Sequence, residues 1–85
     1  MIYTLLYDAN NIEKDLKTVA SNQRNKILQR MNALTDNPRR NNVEKLTAGQ
    51  GYRLRVGDYR VLFDIDDRSK TIIVYRIRHR KEAYR

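Results

Sequence analysis

The sequence has no cysteine, one histidine and one proline among 85 residues, and no apolar run of membrane-spanning length. Without cysteine, neither a disulfide framework nor a thiolate metal site can form, and one histidine cannot build a metal site. No GxGxxG, P-loop or HExxH motif occurs, so we expect no metal and no cofactor. The chain does not start with the basic-then-apolar layout of a secretory signal, so we expect a cytoplasmic protein without a membrane partner.

Acidic residues are also scarce, because 10 Asp and Glu stand against 18 Lys and Arg, which gives a formal net charge of +8. The excess is weighted toward the second half of the chain, where arginines alternate with apolar residues. Such a chain attracts phosphate or an acidic protein. A basic surface that is merely solvated is the simpler interpretation, and the regular alternation of the arginines argues against it.

The length predicts a single domain over residues 1–85. β-forming residues predict a strand over residues 2–7, and apolar residues at helical spacing predict helices over about residues 11–20 and from there to Pro38. Residues 39–50 form a polar connector, followed by strands over residues 52–56, 59–66 and 71–78. This β-α-α-β-β-β order is typical of an α+β domain, in which an N-terminal strand and a helical hairpin pack on a small twisted antiparallel sheet.

The link Gly57-Asp58 predicts a tight hairpin between the first two of the three later strands. Closing this hairpin places Arg55 opposite Arg60, with Arg53 on the same face. Like charges directly across a strand pair are destabilising. We therefore expect an anion to bind there, and we expect the removal of Arg60 to relieve the repulsion without harming the fold.

The guanidiniums, the imidazole of His79 and the phenol of Tyr84 together suit the binding and polarising of a phosphodiester. Each residue also has a simpler interpretation. His79 is equally well explained as a surface residue beside a strand end, and Tyr84 lies one residue from the C-terminus, where chains usually fray.

Four segments occur in the order Glu44-Lys45-Leu46, Tyr52-Arg53-Leu54-Arg55, Gly57-Asp58-Tyr59-Arg60-Val61 and His79-Arg80-Lys81-Glu82-Ala83-Tyr84. Together they resemble the RelE branch of the RelE/ParE toxin superfamily of type II toxin–antitoxin systems, and the resemblance covers essentially the whole chain. It implies a metal-independent endoribonuclease that cuts mRNA in the ribosomal A site through attack by the 2′-hydroxyl, and so inhibits translation.

The resemblance also implies roles for individual residues. Arg53 and Arg55 match basic positions that hold the RNA backbone near the 2′-hydroxyl, and Arg60 matches the arginine that stabilises the pentacoordinate phosphate. Arg80 matches the residue that protonates the leaving 5′-oxygen, and Tyr84 matches the tyrosine that stacks on the target nucleotide. We therefore predict Arg55, Arg60, Arg80 and Tyr84 as catalytic residues.

The remaining basic residues of these segments, and Arg78 directly before the last segment, are predicted to bind RNA or the ribosome. Arg78 stands where many relatives have a small residue, which adds charge at the mouth of the site. Arginine does not readily deprotonate, so electrostatic stabilisation is a better assignment for Arg53 and Arg55 than general base. The predicted RNA- and ribosome-binding residues are Lys45, Arg53, Arg78, His79 and Lys81.

Two other functions are compatible with the same sequence. One is a ParE-like toxin that inhibits DNA gyrase and has no nuclease activity, and the other is a basic RNA-binding protein without turnover. Superfamily membership implies a cognate antitoxin in a hetero-oligomer, and we expect it to be acidic, partly disordered and RelB-like. The predicted targets are the ribosome and mRNA.

Overall fold

The computed structural model describes residues 2–46 and 51–83. Within these ranges no helix is long and apolar enough to cross a membrane. The element order is β-α-α-β-β-β-β-α, which adds a strand in the connector and a terminal helix to the predicted order. The elements are β1 (Thr4–Tyr7), α1 (Ala9–Thr18), α2 (Ser21–Ala33), β2 (Val43–Lys45), β3 (Tyr52–Val56), β4 (Tyr59–Asp66), β5 (Thr71–His79) and α3 (Arg80–Ala83).

The five strands form one mixed sheet in the order β1-β5-β4-β3-β2. The predicted α+β class is confirmed, and α1 packs on β5 while α2 packs on β3. Strand β1 runs parallel to β5, whereas the other pairs are antiparallel, so the expected fully antiparallel sheet needs this correction. No tight turn joins β1 to β5, and its direction is therefore decided by packing rather than by a local hairpin signal.

Strand β2 lies in the segment that was predicted to be a connector. It has three residues, of which only Val43 is apolar, so it is too short to show the period-two pattern of a strand. Its conformation is set by its partner, because Val43 pairs with Leu54 and Lys45 pairs with Tyr52.

Arg39 holds the segment before β2 against the rest of the domain. Its guanidinium donates to both carboxylate oxygens of Asp67, at 3.2 and 2.8 Å, and lies 5.6 Å from the ring centroid of Tyr52. The bond from Arg39 is the main reason that the pKa of Asp67 is below its usual range. The chain leading into β2 is thus tied to the turn between β4 and β5.

Local signals explain where the first helix and the hairpin form. The Asp8 carboxylate accepts from the backbone N–H groups of Asn10 and Asn11, at 3.1 and 3.3 Å, and caps α1. Gly57 has φ of +57°, a conformation that glycine adopts without strain, and it turns the chain from β3 into β4.

The core lies between the two long helices and one face of the sheet. Phe63 and Leu54 of the sheet and Ile27 and Met31 of α2 are almost fully buried there. The buried apolar residues are Ile12, Val19, Ile27, Met31, Leu34, Leu54, Val56, Val61, Phe63, Ile72, Val74 and Ile77.

Strand β5 contains one extra residue relative to β4. Leu62 pairs with Arg76, but the next residue of β4, Phe63, pairs with Val74, so Tyr75 is the additional residue. Such a bulge moves all following side chains to the other face of the sheet. Val74 faces the core before the bulge and Ile77 faces it afterwards, both buried. The bulge therefore directs the even-numbered arginines of β5 away from the core.

Asp15 on α1 covers the part of β5 that extends beyond β1. Its Oδ2 accepts from the backbone N–H of Ile77 at 2.8 Å and from Nε of Arg76 at 3.0 Å, and its Oδ1 accepts from Nη2 of Arg76 at 3.0 Å. Burial acts to raise the pKa of Asp15, but the bonds from Arg76 and Ile77 outweigh it and hold this pKa below 3.8. The carboxylate is therefore charged in the folded state, and it provides an acceptor for a backbone N–H group of β5 that β1 does not pair.

The Asp15→Asn substitution should lower the free energy of unfolding by about 2–4 kcal/mol at neutral pH, because a buried charge partner of Arg76 is lost. A folded-state pKa below 3.8 means that the charge stabilises the fold at higher pH. This contribution is lost as the pH falls from 3.8 through the lower folded value. Urea denaturation of both proteins at pH values above and below this window measures the difference.

The control is Glu13→Gln, an exposed position on the same helix, which should change stability by less than about 0.5 kcal/mol. A difference between Asp15→Asn and the parent that stays constant with pH would contradict the charged state of Asp15.

Candidate functional site

Three arginines lie side by side across the sheet, on the face away from the helices. Arg55 of β3 is opposite Arg60 of β4, as predicted, and Arg60 is in turn opposite Arg78 of β5. Directly opposite residues share a face, with Cβ atoms about 5 Å apart. We call Arg55, Arg60 and Arg78 the arginine row.

Arg60 is more enclosed than a strand-face arginine is expected to be. The residue is 7% exposed, and its Nη1 donates to the backbone carbonyls of Gly57 and Tyr59, both at 2.8 Å. Its side chain thus closes over the hairpin turn and binds it. The expectation that removing Arg60 only relieves repulsion is therefore incomplete, because two hydrogen bonds are lost as well.

Glu44 binds two of the predicted arginines from the neighbouring strand β2. It lies opposite Arg53, and its Oε2 accepts from Nη2 of Arg53 at 2.8 Å while its Oε1 accepts from Nη2 of Arg55 at 3.1 Å. Arg53, and Arg55 to a lesser extent, hold the pKa of Glu44 below its usual range. The side chain of Arg55 remains 57% exposed, against 14% for Arg53, so Arg55 keeps most of its accessible surface.

Glu44 was not predicted as a site residue, although it belongs to the first of the four segments that resemble the RelE branch. Glu44 meets Arg53 only because β2 pairs with β3, and β2 has no strand signal of its own. The opposite charge of Glu44, within nine residues of Arg53, was the only available indication.

The chain after β5 brings Arg80 to the hairpin turn. The backbone N–H of Arg80 donates to the carbonyl of Asp58 at 2.7 Å, and its Nε lies 4.0 Å from Oδ1 of Asp58. Both side chains are exposed, so this ion pair contributes little to stability. Because Arg60 binds the same turn through Gly57, Arg80 and the arginine row occupy the same end of the sheet.

Two predicted residues lie on the opposite face from the arginine row. Lys45 pairs with Tyr52, and His79 pairs with Tyr59, whose ring it meets edge-on with centroids 5.5 Å apart. Strand alternation puts both of them on the helix side of the sheet. The structure therefore does not bring Lys45 and His79 together with Arg55, although the sequence analysis grouped them.

The last two predicted residues belong to the C-terminal segment. Lys81 is exposed, and its backbone N–H donates to Nδ1 of His79 at 3.4 Å. Tyr84, predicted to be catalytic, lies outside the described residues. Among the residues that are described, no cluster of three metal-ligating side chains occurs.

Comparison with known protein families identifies the class of this basic α+β domain. Residues 7–84 match the family described as the ParE toxin of type II toxin–antitoxin systems, parDE. The match spans nearly the whole sequence, so the chain belongs to this toxin family. No curated protein matches the chain.

Several solved structures with the same fold come from complexes of RelE toxins with RelB antitoxins. A chain of the RelE–RelB complex from Pyrococcus horikoshii is 27% identical, with 94% of this chain and 97% of that chain covered and a TM-score of 0.79. The Methanococcus jannaschii RelB–RelE complex gives 28% identity, coverage of 93% and 94%, and a TM-score of 0.71. The RelBE2 complex of Mycobacterium tuberculosis, at 24% identity, shares the fold with a TM-score of 0.81 over 94% of this chain and 100% of that chain.

The protein is thus a type II toxin–antitoxin toxin of the RelE/ParE superfamily. The predicted resemblance to the RelE branch is confirmed by the RelE relatives.

The Arg60→Ala substitution should lower the free energy of unfolding by about 1–3 kcal/mol, because the turn carbonyls of Gly57 and Tyr59 lose their donor. Arg55→Ala is the matched control in the same row and should cost less than about 1 kcal/mol, since its ion pair is largely exposed. Urea denaturation of the purified variants measures both values. An Arg60→Ala protein as stable as the parent would show that cross-strand repulsion outweighs these hydrogen bonds.

Proposed function

We propose that this toxin is an endoribonuclease that cuts mRNA in the ribosomal A site. The supporting observation is the alignment of Arg55, Arg60 and Arg78 on the sheet face away from the helices, at the end of the sheet where Arg80 lies. Arginine stays charged at physiological pH, and its planar fork of donors matches the oxygens of a phosphate. Several such groups at one place suit a phosphodiester on which negative charge accumulates during reaction.

In the proposed reaction the ribose 2′-oxygen attacks the adjacent phosphorus, and the bond from phosphorus to the 5′-oxygen of the next nucleotide breaks. The products are a 2′,3′-cyclic phosphate and a 5′-hydroxyl. One proton leaves the 2′-hydroxyl and one is gained by the departing 5′-oxygen, so the reaction consumes no water. The role of the protein is to orient the strand and to stabilise the pentacoordinate phosphate.

The proposed roles are those that the resemblance to the RelE branch implies. Arg60 stabilises the phosphate, while Arg53 and Arg55 hold the RNA backbone near the 2′-hydroxyl. Arg80 acts at the leaving 5′-oxygen, and Tyr84 stacks on the target nucleotide, a contact worth about 1–3 kcal/mol per base in other proteins. The proposal assigns no general base.

The other basic residues are assigned to binding. Arg78 extends the row toward β5 and contacts the mRNA backbone. Lys45 and His79, on the helix side, and Lys81, beside the strand end, are assigned to the ribosome. Ribosomes present phosphate on all sides, so binding residues on both faces of the sheet are compatible with this target.

We also infer a RelB-like antitoxin that forms a hetero-oligomer with this chain. The Pyrococcus horikoshii and Methanococcus jannaschii relatives were solved in complex with RelB, and a net charge of +8 favours an acidic partner. We expect this partner to be partly disordered when free and to fold on binding. Action on ribosomes implies a cytoplasmic location.

The second candidate function is inhibition of DNA gyrase without nuclease activity. It is favoured by one observation, namely that the matching family is described as ParE toxins. Toxins of both kinds share one scaffold, so the fold does not separate them. A gyrase inhibitor has no evident need for an arginine row beside Arg80, and this is why we favour the nuclease.

Induction of the toxin in cells, followed by mapping of mRNA 5′ ends, tests the proposal. The nuclease function predicts codon-phased cuts inside translated regions. Double-strand DNA breaks with an SOS response, and no such cuts, would assign the protein to the gyrase inhibitors.

The Arg55→Ala and Arg80→Ala variants should each lower the single-turnover cleavage rate on programmed ribosomes by roughly 10²-fold, because one donor to the phosphate or the leaving group is lost. Arg68→Ala is the control. It removes an exposed arginine from the turn between β4 and β5, at the end of β4 that is farther from the arginine row. Cleavage at the parental rate by both site variants would exclude the proposed roles.

The Glu44→Gln substitution should strengthen RNA binding several-fold and steepen its salt dependence, because Arg53 and Arg55 lose their internal carboxylate. Fluorescence anisotropy with single-stranded RNA at several salt concentrations measures both effects. Glu13→Gln makes the same charge change on α1, away from the sheet face, and serves as control. Equal salt dependence for the two variants would mean that Glu44 does not compete with phosphate.

A further inference from the structure

A polar cleft of about 380 Å³ lies next to the arginine row, between helix α2 and the hairpin turn. Two of its cations, Lys26 and Arg30, belong to α2 and have no role in the proposed reaction. We call this space the α2 cleft. Its lining residues are Lys26, Arg30, Asn41, Asn42, Arg55 and Gly57.

The walls of the α2 cleft are fixed by local structure. Lys26 and Arg30 are four residues apart on α2, so their side chains project from one face of the helix about one turn apart. Near the start of the same helix, Gln23 approaches the hairpin turn. Its Oε1 lies 3.5 Å from the point where a β-carbon would be if residue 57 had a side chain. On the other wall, the backbone N–H of Arg55 donates to the carbonyl of Asn42 at 3.0 Å.

The charge of the α2 cleft is strongly one-sided. Among the described lining residues, three are cationic, two are amides and none is acidic. Glu44 balances part of this charge through its 3.1 Å bond to Arg55, and Asp58 follows Gly57 in the hairpin turn. Arg55 lines the cleft and also belongs to the arginine row, so the two basic surfaces adjoin at this residue.

We propose that the α2 cleft binds a second phosphodiester of an RNA backbone, flanking the one held at the arginine row. The inference rests on the proposed function. Lys and Arg side chains with neutral amides are the usual partners of phosphate and sugar oxygens. The described lining contains no apolar side chain, whereas a protein segment that folds on binding needs an apolar surface to bury. RNA is therefore a better occupant than an acidic peptide.

The test compares two double variants that remove equal charge. Lys26→Ala with Arg30→Ala should weaken the binding of single-stranded oligo(U) or of vacant ribosomes about ten-fold and lower the slope of log affinity against log salt by about 1–2. Lys14→Ala with Lys17→Ala removes two exposed lysines from α1 and should leave the slope within about 0.5 of the parent. Thermal unfolding of each variant checks that both are folded.

Each outcome has a defined meaning. Weaker binding of oligo(U) assigns the cleft to the mRNA strand, and weaker binding of ribosomes alone assigns it to ribosomal RNA; both support a phosphodiester site. Equal slopes for the two double variants overturn the proposal. A cleft variant that loses affinity for a poly(aspartate) peptide and keeps its affinity for RNA also overturns it, in favour of an acidic protein partner.

The binding measurement separates this inference from the proposed function. If the parent protein cleaves mRNA and the cleft variant binds RNA with parental affinity, the phosphodiester site in the α2 cleft is refuted and the nuclease function is not. If the parent protein binds RNA through the cleft and does not cleave mRNA, the nuclease function is refuted and the phosphodiester site is not.

Discussion

The arrangement of the basic face depends on one extra residue in strand β5. Tyr75 bulges out of the pairing with β4, and the side chains that follow change faces. Without this bulge, Arg76 and Arg78 would point into the core beside Val74, where unpaired charge is not tolerated. With it, Ile77 enters the core, Arg78 completes the arginine row, and Arg76 reaches Asp15 at the edge of the sheet. A single inserted residue thus places an apolar side chain in the core and an arginine in the arginine row.

Collecting like charges on one face has an energetic cost. Like charges directly opposite each other on neighbouring strands destabilise the sheet. The fold reduces this cost through three contacts: Arg60 binds the carbonyls of its own turn, Glu44 binds Arg53 and Arg55, and Asp15 binds Arg76. The exposed guanidinium of Arg55 remains accessible, so the face is stable in the free protein and still attractive to an anion.

The same scaffold occurs in toxins with different targets, so the function has to be inferred from the residues of the site. The chain matches the ParE toxin family and shares its fold with RelE proteins. What favours a nuclease is local, namely the alignment of three arginines and the approach of Arg80 to the hairpin turn. The α2 cleft adds basic residues next to this site, because Lys26 and Arg30 of α2 line it together with Arg55 of β3.

Local signals in the sequence were sufficient for most of the fold. The Gly57-Asp58 turn determined the hairpin register and with it the pairing of Arg55 and Arg60, and apolar spacing predicted the first helix. Period-two alternation gave the bounds of β3 and β4 correctly, because each strand buries one face. The four segments around Arg53, Arg60 and Arg80 were enough to indicate the superfamily.

Other features were decided only by contacts between distant segments. Strand β2 exists because β3 offers it an edge, and Glu44 joins the site for that reason alone. The parallel direction of β1, the bulge at Tyr75, the burial of Arg60 and the placement of Lys45 and His79 on the opposite face depend on packing across the sheet. The physical reason is that a local pattern specifies the conformation and alternation of a segment, whereas its neighbours and its register are chosen by burial and hydrogen bonding in the complete fold.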